Sequence, residues 1–130
     1  MNVLDASALL AFLFRESGHQ TVEKVITDCC VGSINLAEVL ARFGRDGHDP
    51  HAAYRRIEAS PVEIVSFTGE QAVLAAALVP QTQPLGLSLG DRACLALSLS
   101  RNCPALTADR AWSELELPID VIQIRKGAVP

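Results

Sequence analysis

The sequence predicts an α/β domain in which helices cover both faces of a parallel central sheet, a Rossmann-like three-layer arrangement. Short apolar runs alternate with segments of helical periodicity along the chain, which is the pattern of consecutive βα units. With 130 residues the chain can bury a core without covalent staples, so we expect residues 1–130 to form a single domain. In such sheets the ligand crevice lies beyond the carboxyl ends of the strands.

The N-terminal half predicts one strand and three helices. Two of the helices carry apolar residues at i, i+3, i+4 and i+7, the stripe of a helix packed on one side. In order, the elements are a strand over residues 2–5, a helix over 7–15, a helix over 19–29, a short apolar link at 30–32 and a helix over 35–43.

Cap and turn residues divide the C-terminal half. Asp49-Pro50 fits a cap followed by a first-turn proline, and Thr68 with Gln71 offers a capping box. The predicted elements are a helix over residues 50–59, a strand over 61–67, a helix from 68 through 79, a long loop over 80–90, a helix over 91–102, a strand over 104–107, a short helix over 109–115 and a strand over 119–124.

The charge balance limits the class of partner. Eleven Lys and Arg against fifteen Asp and Glu give a formal net charge of −4, which argues against a broad basic face for nucleic acid. Without Asp5, Glu38, Asp91 and Asp109 the chain would carry as many acidic as basic residues. A polyanionic substrate would therefore have to be drawn by bound metal and a few arginines.

The cysteines and the apolar segments indicate the compartment. Cys29, Cys30, Cys94 and Cys103 show neither C-x-x-C nor zinc spacing, which predicts reduced, structural thiols. The apolar N-terminal segment lacks a basic leader and contains Asp5, and no apolar run reaches the roughly 18 to 20 residues that span a bilayer. We expect a soluble, cytoplasmic protein with no membrane association.

Four acids occupy equivalent places in this pattern. Asp5, Glu38, Asp91 and Asp109 each stand where an apolar run gives way to a predicted helix. In a parallel sheet all four converge on one edge, because neighbouring strands lie only about 4.8 Å apart. Each close carboxylate pair would repel by roughly 4 kcal/mol at an intermediate dielectric, and a divalent metal site is the usual resolution.

Helix capping is the alternative explanation for three of these acids. Asn35 with Glu38 and Ser88 with Asp91 match capping boxes, and Asp109 fits a simple N-cap. Asp5 fits this explanation less well, because Ser7 is available to cap the following helix and a buried charge rarely lacks a partner.

Four segments of the chain also resemble a known family. They read DASALL at residues 5–10, NLAEVL at 35–40, LSLGDRACLAL at 87–97 and LTADRAW at 106–112. In this order and at these separations they look like the successive motifs of PIN-domain ribonucleases, and most of all those of VapC-type toxins from toxin–antitoxin pairs. Trp112 stands where the family usually has Phe, and Ala108 fills a position that is often polar or basic.

The resemblance implies a metal-dependent endoribonuclease. It implies that Asp5, Glu38, Asp91 and Asp109 are the catalytic acids, which hold one or two ions of Mg²⁺ or Mn²⁺. It also implies that the cleaved RNA carries a 5′-phosphate and a 3′-hydroxyl. The family's hydroxyl positions near the metal correspond to two supporting residues, Ser7 and Thr107. The implied partners are an RNA substrate, a small antitoxin whose C-terminal segment crosses the acidic crevice, and a second copy of the chain.

Three arginines are the candidates for contact with RNA phosphate. Arg92 and Arg110 each follow a candidate acid, and Arg42 stands one turn beyond Glu38, with which it could form an i, i+4 pair. Solvated surface arginine is the alternative for all three.

Two alternatives remain open at this stage, a receiver-like phosphoryl-accepting domain and a PIN-fold module that binds without cleaving. A receiver-like phosphoryl-accepting domain also places an Asp at a strand end, but it needs a paired acid beside it, where Leu4 precedes Asp5. A haloacid dehalogenase-type phosphatase would need an acid in place of Ser7. A PIN-fold module that binds without cleaving is the non-enzymatic alternative, and metal-dependent RNA cleavage separates these readings.

Overall fold

The predicted parallel sheet is confirmed in a computed structural model, which describes residues 1–125. Five strands pair in the order β3-β2-β1-β4-β5, and every pairing is parallel. The strands are β1 (Asn2–Leu4), β2 (Cys29–Gly32), β3 (Glu63–Val65), β4 (Ala105–Thr107) and β5 (Val121–Gln123).

Helices connect the strands and cover the sheet. The α-helices are α1 (Ala6–Phe14), α2 (His19–Glu23), α3 (Ser33–Arg45), α4 (Pro50–Glu58), α5 (Gly69–Ala77), α6 (Val79–Thr82) and α7 (Leu89–Arg101). Short 3-10 helices lie at Ile26–Asp28, Gln83–Leu85 and Arg110–Glu114. Within residues 1–125, no helix is both long enough and apolar enough to cross a membrane.

The sheet separates two hydrophobic clusters, which gives the three-layer architecture. Leu4 packs on one face with Leu9 and with apolar residues of α2, α3 and α4. Val3 points to the other face, where it packs with Leu95 of α7 and with Trp112. Because successive strand residues face opposite sides and both sides are covered, the three inner strands are largely apolar.

The strand order places a switch point between β1 and β4. From β1 the chain builds outward through β2 and β3, and then returns to add β4 and β5 on the other side. Asp5 directly follows β1, and Asp109 lies two residues beyond β4. The edge at which ligands bind in such sheets therefore carries two of the four candidate acids.

Several predicted boundaries were wrong, and β2 was missed. Residues 30–32, predicted as a link, belong to the strand between β1 and β3, while the helix predicted over 19–29 ends at Glu23 and gives way to a 3-10 turn. A four-residue strand buried on both faces lacks apolar–polar alternation, so periodicity cannot identify it. The loop predicted over 80–90 contains most of α6, the second 3-10 helix and the first residues of α7.

The apolar faces of α1 and α3 are mostly buried inside the domain. Leu9, Leu36, Val39 and Phe43 are all buried, and only Phe14 belongs to the exposed large apolar side chains. All four cysteines are buried with free thiols.

Candidate metal centre

Asp5 is the buried centre of the candidate site. It forms the N-cap of α1, and its side chain is only 4% exposed. Oδ1 accepts hydrogen bonds from the Ser7 hydroxyl at 2.7 Å and the Ala8 amide at 2.8 Å, while Oδ2 accepts one from the Thr107 hydroxyl at 2.5 Å. Three donors from two elements fix the orientation of this carboxylate.

Burial perturbs the acidity of Asp5. Loss of solvent is the main cause that raises its pKa from 3.8 to about 6, and repulsion by Asp91 adds to the rise. The hydrogen bonds from Thr107, Ser7 and Ala8 oppose the rise, because they stabilise the ionised form. A carboxyl group with a pKa of about 6 is ionised at neutral pH, at a cost in stability that a bound cation would offset.

Ser7 and Thr107 both lie at the site, and each joins two segments. Thr107 donates to Asp5 and accepts from the Asp109 amide at 3.0 Å. Ser7 donates to Asp5 and accepts from the Ala108 amide at 2.9 Å. The expectation that Ser7 caps α1 was wrong, because Asp5 is the cap and Ser7 is the second residue of the helix.

Glu38 lies in the second turn of α3, and its expected capping box was wrong. The helix begins at Ser33 with Gly32 as its N-cap, so Asn35 is inside the helix. Asn35 Nδ2 instead donates to Glu38 Oε1 at 3.0 Å. Partial burial raises the pKa of the Glu38 carboxyl, the Asn35 hydrogen bond opposes this, and repulsion by Asp91 adds to it.

Asp91 combines a structural contact with proximity to the other acids. Its capping box with Ser88 is confirmed: the Ser88 amide donates to Oδ2 at 2.8 Å, and the Ser88 hydroxyl accepts from the Asp91 amide at 3.3 Å. Asp91 is also the neighbour that raises the pKa of both Asp5 and Glu38. Capping therefore does not remove Asp91 from the acidic cluster.

The buried Cys94 thiol lies near the same three carboxylates. Burial raises the pKa of Cys94 well above its usual range, and the charges of Asp5, Asp91 and Glu38 add to the rise. One buried atom of α7 therefore lies within electrostatic range of all three carboxylates. We refer to Asp5, Glu38 and Asp91 as the acidic cluster.

Asp109 occupies the same edge but faces outward. Its side chain is exposed, and Oδ1 accepts from the Ala111 amide at 3.0 Å, which confirms the predicted cap. Its backbone is tied to the site by the Thr107 hydroxyl and by Gln123, whose Nε2 donates to the Asp109 carbonyl at 2.8 Å. The structure brings three acids together and leaves the fourth carboxylate at the rim.

The ligand atoms that the acidic cluster offers suit a hard divalent cation. Its donors are all carboxylate oxygens, the ligands that Mg²⁺ and Mn²⁺ prefer, and no ion pair within residues 1–125 involves its members. In that part of the chain, no three acidic, histidine or cysteine side chains stand close enough to enclose one ion as placed. Mg²⁺ commonly keeps several waters and takes only one or two carboxylates, so the donor set remains suitable.

The three candidate arginines are placed differently from one another. Arg42 was expected beside Glu38, but its ion pairs are with Glu16 and Asp46, both at 3.4 Å. Arg92 is half-buried and donates from Nη1 to the Leu87 carbonyl at 3.2 Å.

Arg110 is exposed at the start of the last 3-10 helix. Arg92 and Arg110 therefore remain next to candidate acids, whereas the guanidinium of Arg42 is drawn to another pair of carboxylates.

Sequence reasoning missed two residues that shape the site, Asn35 and Gly90. Asn35 is 1% exposed and donates to both Glu38 and the Gly90 carbonyl. A side chain on Gly90 would collide with the Glu38 carboxylate. The available signal was a glycine inside the first turn of a helix, directly before Asp91, where glycine has no conformational use.

Comparisons with known proteins agree with this architecture. The structure is similar to VapBC2 from Rickettsia felis bound to a DNA fragment from its promoter, with a TM-score of 0.73 and 15% identity over 94% of this chain and 97% of that chain. It is similar to VapC20 from Mycobacterium tuberculosis, a sarcin–ricin loop cleaving toxin, with a TM-score of 0.71 and 16% identity over 87% and 93%.

VapBC-5 from Mycobacterium tuberculosis is another similar structure, with a TM-score of 0.65 and 22% identity over 94% of this chain and 97% of that chain. At these identities the likeness shows a shared fold. No curated protein matches the chain. The PIN domain family matches residues 3–117, which is most of the sequence. The chain therefore belongs to the PIN-domain family.

Proposed function

We propose that the protein is an endoribonuclease dependent on Mg²⁺ or Mn²⁺ and the toxin of a toxin–antitoxin pair, acting in the cytoplasm. The observation that carries the proposal is the acidic cluster, which lies at the switch-point edge of the sheet without a cationic partner among residues 1–125. Membership of the PIN-domain family supports the nuclease class. It leaves the receiver-like and phosphatase alternatives without support.

Asp5, Glu38 and Asp91 would hold the metal, with Asp109 completing the set from the rim. Bound Mg²⁺ or Mn²⁺ supplies activation of a water and neutralisation of charge on the attacking and leaving oxygens of the phosphodiester. Asp5 contributes an oriented carboxylate, because Ser7, Ala8 and Thr107 fix both of its oxygens.

The other acids keep carboxylate oxygens that the protein does not use. Glu38 accepts only through Oε1 and Asp91 only through Oδ2 in the described chain, so each has a second oxygen for a cation or an ordered water.

RNA is the proposed substrate because membership of the PIN-domain family supports a nuclease, although the phosphates of RNA need positive charge that this acidic protein lacks overall. The net charge of −4 leaves recognition to the bound cation and to arginines at the same edge. Arg92 and Arg110 are the proposed phosphate contacts. We give Arg42 a smaller part, because its guanidinium pairs with Glu16 and Asp46 rather than lying beside Glu38.

The nuclease proposal is tested with purified protein and a mixed RNA substrate, in Mg²⁺, in Mn²⁺ and in EDTA. We expect cleavage only with metal, 5′-phosphate and 3′-hydroxyl ends, and loss of cleavage in Asp5→Asn and Asp91→Asn. Asp120→Asn is the matched control, because Asp120 is an exposed acid outside the site. A wild-type protein that binds RNA without cutting it would favour the binding-module alternative, and undiminished cleavage by either site variant would overturn the assignment.

A small antitoxin and a second copy of the chain are the proposed protein partners. The solved toxin–antitoxin structures of this fold motivate the first. Exposed apolar side chains motivate the second: Val73 on α5 is 70% exposed and Leu89 on the adjoining α7 is 58% exposed. A basic antitoxin side chain against the acidic cluster would inhibit by replacing the metal's charge.

Co-purification with the product of the neighbouring gene and light scattering test these partners. We expect a stable complex without RNA cleavage and a dimeric mass for the isolated chain. A complex that cleaves at the full rate would contradict occlusion, and a monomer at high micromolar concentration would contradict the dimer.

A further inference from the structure

The Glu38 carboxylate rests directly on the backbone of Gly90. A Cβ atom built at position 90 would lie 2.5 Å from Oε1 and 2.6 Å from Cδ of Glu38, closer than nonbonded carbon and oxygen atoms approach. Gly90 is the second residue of α7, an ordinary helical position where alanine is normally more favourable. Steric room for Glu38 is therefore the physical reason for glycine at this position.

Asn35 holds the same carboxylate from the other side. Its Nδ2 donates to Glu38 Oε1 and to the Gly90 carbonyl, each at 3.0 Å, so one amide group joins the acid to the first turn of α7. Its Oδ1 is buried and has no hydrogen-bond partner in the described part of the chain. An unpaired buried carbonyl oxygen is destabilising, and an apolar side chain here would avoid that cost. The amide of Asn35 therefore serves the Glu38 carboxylate and the first turn of α7 at once.

We propose that Asn35 and Gly90 are positioning residues that hold the Glu38 carboxylate toward Asp91. This inference rests on the proposed function, in which Glu38 is a metal ligand. Glutamate has three rotatable side-chain bonds, and in the second turn of α3 no backbone amide fixes its carboxylate as Ala8 fixes that of Asp5. The Asn35 amide and the bare backbone at Gly90 supply that restraint, and a preorganised ligand loses less freedom when it binds an ion.

The proposal makes a steric prediction that needs neither metal nor RNA. Gly90→Ala should displace the Glu38 carboxylate rather than separate the helices, because the colliding atoms are the end of a flexible side chain. Gly69→Ala is the matched control: Gly69 is the first residue of α5, and a Cβ there would meet no atom within 4 Å.

Thermal unfolding in EDTA tests whether Gly90 makes room for the Glu38 side chain. We expect Gly69→Ala to raise the melting temperature, and Gly90→Ala to raise it less or to lower it. In a Glu38→Ala background, Gly90→Ala should raise the melting temperature as Gly69→Ala does, because the clash is gone. Equal effects of Gly90→Ala in the two backgrounds would overturn the steric relation.

Titration with Mn²⁺ without RNA, followed by electron paramagnetic resonance, tests whether Asn35 positions Glu38 for metal binding. We expect Asn35→Ala to weaken binding about tenfold, as loss of a residue that orients a metal ligand typically does. In a Glu38→Gln background, Asn35→Ala should cause no further loss. Asn2→Ala is the control, because Asn2 lies at the start of β1, at the end of the strand opposite Asp5, and within the described residues its side chain donates only to the Asp28 carbonyl.

The outcomes separate this inference from the proposed function. Unchanged Mn²⁺ affinity in Asn35→Ala, or an equal loss in the Glu38→Gln background, would overturn the positioning role while the nuclease proposal stands. If the wild-type protein binds no Mn²⁺, the metal-dependent function and the positioning of a ligand fail together. The melting-temperature comparison would still show whether Gly90 makes room for Glu38.

Discussion

Asp5→Asn should make the protein more stable at neutral pH and should remove a defined part of its pH dependence. Burial raises the pKa of this carboxyl from 3.8 to about 6, so between these values the folded state binds a proton that the unfolded state has released. The contribution of the Asp5 carboxyl group to the free energy of unfolding therefore falls as the pH rises from about 4 to about 6, and it stays low at higher pH. A shift of roughly 2 pK units corresponds to about 3 kcal/mol.

The substituted amide can keep the local hydrogen bonds, which makes the comparison a clean one. Its oxygen can accept from Ser7 and Ala8 as Oδ1 of Asp5 does now. The Thr107 hydroxyl has two lone pairs, so it can accept from the new amide while it still accepts from the Asp109 amide. The two proteins then differ in the charge and in the contact with Thr107, whose hydroxyl donates to Asp5 but would accept from the amide.

Urea denaturation in EDTA at pH 4, 5, 6 and 7 provides the assay. We expect equal free energies of unfolding at pH 4 and an advantage of about 2 to 3 kcal/mol for the variant at pH 7. Asp120→Asn, which alters an exposed carboxylate, should show no such widening difference. A variant that is less stable than wild type at pH 7, or a difference independent of pH, would refute the reasoning.

Three further measurements bear on the site and the core. Mg²⁺ at one hundred times its Kd should stabilise the wild-type protein by about 2.7 kcal/mol and raise its melting temperature. The double variant Glu38→Gln, Asp109→Asn should show a smaller rise, and an equal rise would place the metal elsewhere. Mg²⁺ affinity followed by calorimetry should weaken as pH falls below about 6, because Asp5 must lose its proton to bind the ion, and affinity that stays constant to pH 5 would exclude Asp5 as a ligand. Trp112→Ala should lower the free energy of unfolding in urea by about 3 to 5 kcal/mol, because this fully buried side chain packs in the hydrophobic cluster on the α7 side of the sheet. A decrease below about 1 kcal/mol would contradict that packing.

The sequence predicted the sheet class because local patterns and the overall topology agree in this chain. Residues 2–5 and 104–107 form apolar runs bounded by polar or turn residues, and both became central strands. The second strand was missed because its identity depends on pairing with β1 and β3, a long-range fact that four residues do not carry. Cys29 continued a helical stripe in the sequence, and tertiary pairing overrode it.

Glu38 shows why a capping pattern alone does not locate a helix start. Asn35 and Glu38 have the i, i+3 spacing of a capping box, but the same spacing joins side chains inside a helix. The cap is decided by the backbone at Gly32, whose φ of −72° and ψ of 151° are extended. The contact with Gly90 was beyond sequence reasoning, because it depends on how α3 and α7 cross.

Capping and metal binding were treated as competing explanations for the acids, but the fold makes them compatible. The helices that follow parallel strands begin at the carboxyl edge of the sheet, and α7, which precedes β4, also begins there because it runs back along the sheet. An acid that caps such a helix therefore already lies where ligands bind. In Asp91 and Asp109 the helix start fixes one carboxylate oxygen and leaves the other at this edge, whereas both oxygens of Asp5 accept hydrogen bonds. Glu38 has no cap to orient it, and it is the acid for which the chain supplies Asn35 and Gly90.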